Sequence, residues 1–145
     1  MHRLEFNSRV VHALYTEAHV LMQEARHAFA DHLAQAAPLA DDIKALIQRE
    51  EENAIICLTH ALAWLRNQQS YWEGQQSLFR LRLRRLPRTP AEPHSADLDH
   101  LPEAVHRVSR SITHFYQRLQ DLENQWHPRT SLLSGALARL LSRNA

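Results

Sequence analysis

Apolar residues recur three and four positions apart along three long stretches of this chain, the period of a helix with one buried face. In the first, Val11, Leu14, Ala18, Leu21, Ala25 and Ala28 form the stripe, with Tyr15, Met22 and Phe29 widening one edge. The pattern predicts a helix over about residues 6–36, with Asn7 or Ser8 as its cap. Pro38 marks the break, and Asp41 and Asp42 favour the first turn of a second helix, about 39–77, where the dipole is positive. Its stripe runs Ile43, Ile47, Glu50, Ala54, Cys57, Ala61, Trp64, Gln68 and Tyr71. The third stretch, about 101–126, alternates most regularly: Leu101, Val105, Val108, Ile112, Phe115, Leu119, Leu122 and Trp126. Asp99 is its candidate cap, Pro102 suits the opening turn, and His127-Pro128 is expected to end it. A short amphipathic helix, about 130–142, should follow, with Leu137 and Leu140 on its apolar side.

The second helix carries more apolar surface than one stripe. Ile55, Leu58, Leu62 and Leu65 add a second side, whereas a surface helix ordinarily keeps a polar back. That surplus predicts cover from outside the chain, so these four residues are the candidate dimer contact, with the Trp64 stripe facing inward. The heptad rhythm shared by the helices implies shallow crossing angles. The expected architecture is a single all-α domain over 1–145. It is a three-helix antiparallel bundle with a short C-terminal amphipathic helix, assembled as a homodimer.

Residues 78–100 break the pattern. Their first part alternates apolar and basic residues like a strand, but no partner strand is visible anywhere. The expectation is an extra turn or two of helix and then an exposed linker, since Pro87, Pro90 and Pro93 lie among polar residues. Arg80, Arg82, Arg84, Arg85 and Arg88 make this segment the candidate for partner docking, together with the region of Leu137 and Leu140. Phosphate contact by the same arginines is the nucleic-acid alternative.

Composition narrows the chemistry. Seventeen basic residues against 16 acidic ones leave a net charge of +1, so no global pull toward nucleic acid or an anionic membrane arises. The lone Cys57 cannot form an intramolecular disulfide, no apolar run is long enough to span a membrane, and no signal peptide is visible; a cytoplasmic location is expected. With glycine only at 74 and 135, neither a phosphate loop nor a Gly-x-Ser-x-Gly elbow can form. Two Glu-x-x-His pairs, Glu24 with His27 and Glu103 with His106, are the material for a carboxylate-histidine metal bundle. The second lies in an opening turn, where side chains usually face water. The expected reading is no catalytic residue, no metal and no cofactor. Glu50 and Gln68 interrupt an apolar stripe, so each belongs at an edge of the bundle or in an internal hydrogen bond; the sharper alternative pairs Glu50 with a His or Arg of another helix.

Leu14, Tyr15, Glu17, Ala18, Leu21, Glu24, Ala25, Arg26 and Phe29 resemble the first helix of the RcdA-like family of alphaproteobacteria, the regulators of CtrA degradation. Leu58, His60, Ala63, Trp64, Leu65, Gln68 and Gly74 are similar to its second-helix signature, and Leu101-Pro102 followed by Phe115, Tyr116 and Arg118 to its third. Glu51, Ile55 and Ile56 depart from the Ser and Thr usual there. The resemblance implies a dimeric helical bundle without enzymatic activity, acting as an adaptor that helps bring a cell-cycle transcription regulator to the ClpXP protease. The implied partners are a second copy, the protease complex and a response regulator or client transcription factor.

Overall fold

The computed structural model describes residues 7–34, 40–88 and 99–143, with side chains through 32 in the first segment and 125 in the last. Four helices and no strand occur among them: α1 (Ser8–Ala34), α2 (Asp41–Trp72), α3 (Leu78–Leu83) and α4 (Glu103–Arg143). The fold is all-α.

Each helix end has a local cause. Asn7 caps α1, its Oδ1 accepting the N–H groups of Arg9 at 3.0 Å and Val10 at 3.1 Å. Ala40 enters α2 in an extended conformation without a side-chain cap, and Asp41 and Asp42 supply negative charge to the first turn. α2 stops at Trp72, before the expected 77, because Gly74 adopts φ +77°. The N–H of Gln75 then reaches the Ser70 carbonyl at 2.9 Å and that of Gly74 the Tyr71 carbonyl at 3.0 Å, the bond pair of a Schellman motif. A Cβ at Gly74 would meet nothing within 4 Å, so Gly74→Ala should cost only the left-handed backbone penalty, about 1 kcal/mol. Urea denaturation measures this, and a loss several times larger would mean that the turn does more than end the helix.

α4 begins after Pro102, whose carbonyl accepts the His106 N–H at 2.9 Å; Asp99 lies ahead of the helix in a turn and is not its cap. The expected break at His127-Pro128 is absent, and α4 is one helix through Arg143. Proline removes one N–H and biases the residue before it away from the helix, but long helical stretches on both sides outweigh that bias.

The three long helices pack pairwise around one core. Every position of the α1 stripe from Val11 to Ala25 is buried, as are Phe29, Leu101 just ahead of α4 and, on α4, Val105, Ile112, Phe115 and Leu119. The short link between α1 and α2 makes them an antiparallel hairpin. On α4, His106 and Ser109 lie beside Glu50 while Tyr116 lies near Cys57, so numbers rise together and α4 runs parallel to α2. Glu17 of α1 pairs with Arg118 of α4 at the same level. α1 is therefore antiparallel to both partners, and residues 73–88 begin the return of the chain from the end of α2. Part of that segment, expected as an exposed linker, packs on the core through Leu86, and Leu81 is buried as well.

Candidate functional site

The returning segment is held at several points. The Ser77 side chain caps α3, its Oγ accepting the Arg80 N–H at 3.3 Å. Leu81 is buried, and Arg84 Nη1 donates to Asn67 Oδ1 of α2 at 3.1 Å. Leu86 is also buried and gives its N–H to Glu123 Oε2 at 2.8 Å, while the Tyr116 hydroxyl donates to the Pro87 carbonyl. With Leu81 on the inner side of a helical turn, Phe79 and Leu83, one turn apart on the opposite side, must face water. They are 72% and 70% exposed, the highest values among the large apolar side chains described.

Arg80, Arg84, Arg85 and Arg88 are exposed around this pair, while Arg82 is half-buried and engaged. Of the described residues none forms an ion pair with Arg80, Arg85 or Arg88. The five arginines, with no acid among residues 78–88, form a cationic edge on a chain of net +1. What this arrangement offers is recognition: two apolar side chains on an anchored helical turn among arginines.

A second feature lies inside. Ser109, Tyr116 and Glu123, seven positions apart on α4, are all buried, and Glu50 and Gln68 are buried on α2. Burial pushes the Glu50 carboxyl above its ordinary 4.5, against smaller opposing effects of Ser109, Arg49 and His106. The Ser109 hydroxyl favours the charged form yet stops short of hydrogen-bond geometry: Glu50 Oε1, Gln68 Oε1 and Ser109 Oγ are all buried without a partner among the described residues. Burial likewise raises Cys57, with the Glu50 charge adding to it. Tyr116 is pushed up to about 12 by burial first, then by Cys57 and Glu123, which keeps its hydroxyl a donor to Pro87. Since Glu50 is 6% exposed, the bundle-edge expectation for it is not met; it is an interior carboxyl.

The residues that carry the family resemblance fall mostly on the framework. Leu14, Phe29, Trp64 and Gln68 are buried, Tyr15 packs edge-on to His19, and His60 is half-buried. Glu17 and Arg118 pair across α1 and α4, with the Arg118 guanidinium 5.4 Å from the Phe115 ring centre. Gly74 makes the turn and Tyr116 holds the returning segment, whereas Glu24 and Arg26 are exposed. The candidate dimer face divides. Leu58 and Leu65 are 1% and 0% exposed, covered by their own chain, so they cannot form an outer contact; Leu62 is half-buried against the core, and Ile55 is 43% exposed beside Ile56. The reason is that α1 and α4 together cover α2 over a wider arc than a single stripe.

Glu24 and His27 are both exposed, and Glu103 pairs with Arg107 at 3.3 Å rather than with His106. The described residues contain no group of three or more His, Cys, Asp or Glu that could hold a metal, and no helix among them is long and apolar enough to cross a membrane. Leu137 and Leu140 lie on α4 with side chains outside those described. Sequence reasoning missed the outward pair Phe79 and Leu83 and the buried Ser109 and Glu123. The seven-residue spacing of Ser109, Tyr116 and Glu123, each following a stripe residue, was the available signal.

A family model described as a protein of unknown function, DUF1465, matches residues 3–143. The chain belongs to the DUF1465 family. Neither a curated protein nor a solved structure matches it. Both the outward basic segment and the buried polar line lie within the matched range, so they belong to the body of this DUF1465 chain.

Proposed function

We propose that this DUF1465 chain is a non-catalytic adaptor that works by protein-protein contact in the cytoplasm, assisting ClpXP-mediated proteolysis of a cell-cycle transcription regulator. The observation that carries the reading is large apolar side chains held in water on a chain whose long helices already share a closed core. Phe79 and Leu83 do not turn inward because Leu81 occupies that position. Apolar side chains clustered on a polar surface mark interaction sites. The resemblance to the RcdA-like family supplies the protease and the client. It also implies a second copy, and that contact would fall to Ile55 and Ile56, with Leu62 at its margin, rather than to Leu58 and Leu65.

The test is reconstitution. Purified protein added to ClpXP, its response-regulator co-factor and the client transcription regulator should raise the rate of client loss. It should be recovered intact at the end, as an adaptor rather than a substrate is. Client loss unchanged over a full titration would overturn the adaptor reading.

A further inference from the structure

We propose that α3 and the arginines around it form a preorganised docking knob for an acidic peptide segment that carries apolar side chains on one face. This deepens the adaptor reading and rests on it for its biological setting, while the binding chemistry stands on the geometry alone.

Three observations choose the occupant. The first is fixed presentation. Ser77, Leu81, the Arg84–Asn67 bond and the buried Leu86–Glu123 bond hold both ends of the segment, so the turn that carries Phe79 and Leu83 outward is in place before any partner arrives. A partner then has little ordering of this side to compensate. The second is the mixed chemistry of the surface. Two adjacent apolar side chains need apolar cover, which a phosphate backbone does not give, and Leu83 has no ring on which a base could stack.

The third is charge. The segment 80–88 carries +5 and the remainder of the chain is net −4. Screening confines each charge to about 8 Å at physiological salt, so a short acidic peptide meets only the positive rim. An extended polyanion, whether duplex or membrane, also runs past the negative remainder. Two apolar side chains on a six-residue helix are moreover a small anchor for a bilayer, where stable attachment takes two signals.

The experiment is fluorescence anisotropy on the full chain with three short labelled synthetic peptides. One is acidic with leucine and phenylalanine one helical turn apart, one is equally acidic without apolar residues, and one has the apolar pair with glutamine in place of the acids. Labelled duplex DNA and vesicles of phosphatidylglycerol are titrated alongside. The acidic-apolar peptide should bind at least about tenfold tighter than either control peptide, and more weakly as salt rises. Phe79→Ser with Leu83→Ser, and separately Arg80→Glu with Arg85→Glu, should each weaken it by about tenfold or more, since central anchors dominate such contacts. All four positions are exposed, and an unchanged melting temperature verifies that each variant is folded. Equal affinity for the three peptides, variants that bind like the wild type, or tighter retention of duplex or vesicles would overturn the proposal. Peptide binding without any effect on ClpXP would leave the knob standing and remove the adaptor role. Stimulated degradation that survives both double variants would do the reverse.

Discussion

Leu65→Asp is expected to leave a chain that does not fold, while Ile55→Asp, on the same helix and equally apolar in the native sequence, keeps a melting temperature close to the wild type. Leu65 is 0% exposed and Ile55 is 43% exposed, so the two substitutions put the same charge into opposite environments. Truncating a buried leucine alone costs about 2–5 kcal/mol. An unpaired carboxylate at that site adds its desolvation cost, and whole domains hold only about 5–15 kcal/mol. Circular dichroism during heating separates the outcomes. A cooperative wild-type transition in Leu65→Asp would mean that this side of α2 faces outward. Light scattering on Ile55→Asp checks the self-association proposed for the outer face, because only a folded variant can report on it.

The second large effect concerns Glu50. Burial raises its pKa, so the native state holds the proton more tightly than the unfolded chain does. The stability gained from that proton is complete below the unfolded value of 4.5 and is lost as pH climbs through the native value. Above it, folding must bury a carboxylate whose Oε1 has no partner among the described residues. Arg49, His106 and the Ser109 hydroxyl lower the pKa, but less than burial raises it. Glu50→Gln removes the charge at nearly constant shape and should therefore stabilise the protein at neutral pH. That gain should shrink toward zero near pH 4. Chemical denaturation across the pH range tests it. A variant less stable than the wild type at pH 7 would show that the carboxylate is paired in solution.

Such a position has a bearing on how the bundle is specified. Glu50 on α2 lies beside Ser109, the first of the polar line Ser109, Tyr116 and Glu123 on α4, and the side chains of Tyr116 and Glu123 bond to the returning segment at Pro87 and Leu86. Buried polar groups of this kind cost stability unless they are satisfied. Here the two satisfied ones hold the arm that presents Phe79 and Leu83. The interior chemistry and the outer surface are thus joined through Leu86 and Pro87 rather than by sequence proximity.

Much of α1 and α4 was legible in advance, because a helix with one neighbouring surface shows one apolar stripe, and the stripes from Val11 to Ala25 and from Leu101 to Leu119 are those the core uses. For α2 the same reasoning found two apolar sides and assigned Leu58 and Leu65 outward, where they are not. Periodicity identifies a face without naming what covers it. The segment 78–88 misled for a related reason: its alternation of apolar and basic residues reflects a short helix with Leu81 inward and Phe79 and Leu83 outward, followed by an anchored arm. One buried leucine per turn is too sparse to register as a stripe.

The order and period of apolar residues by themselves determined that this protein is helical and which faces of α1 and α4 are buried. Those are local properties, set by neighbours three and four residues away. Only the tertiary structure decided that α4 runs parallel to α2, that α2 is enclosed on two sides, that Glu50 is an interior carboxyl and that Phe79 and Leu83 stand in water. Each of these depends on the path that the chain takes from the end of α2 through residues 73–88. That path is held by contacts such as Leu86 to Glu123 and Arg84 to Asn67, between residues too far apart in the chain for any period to record.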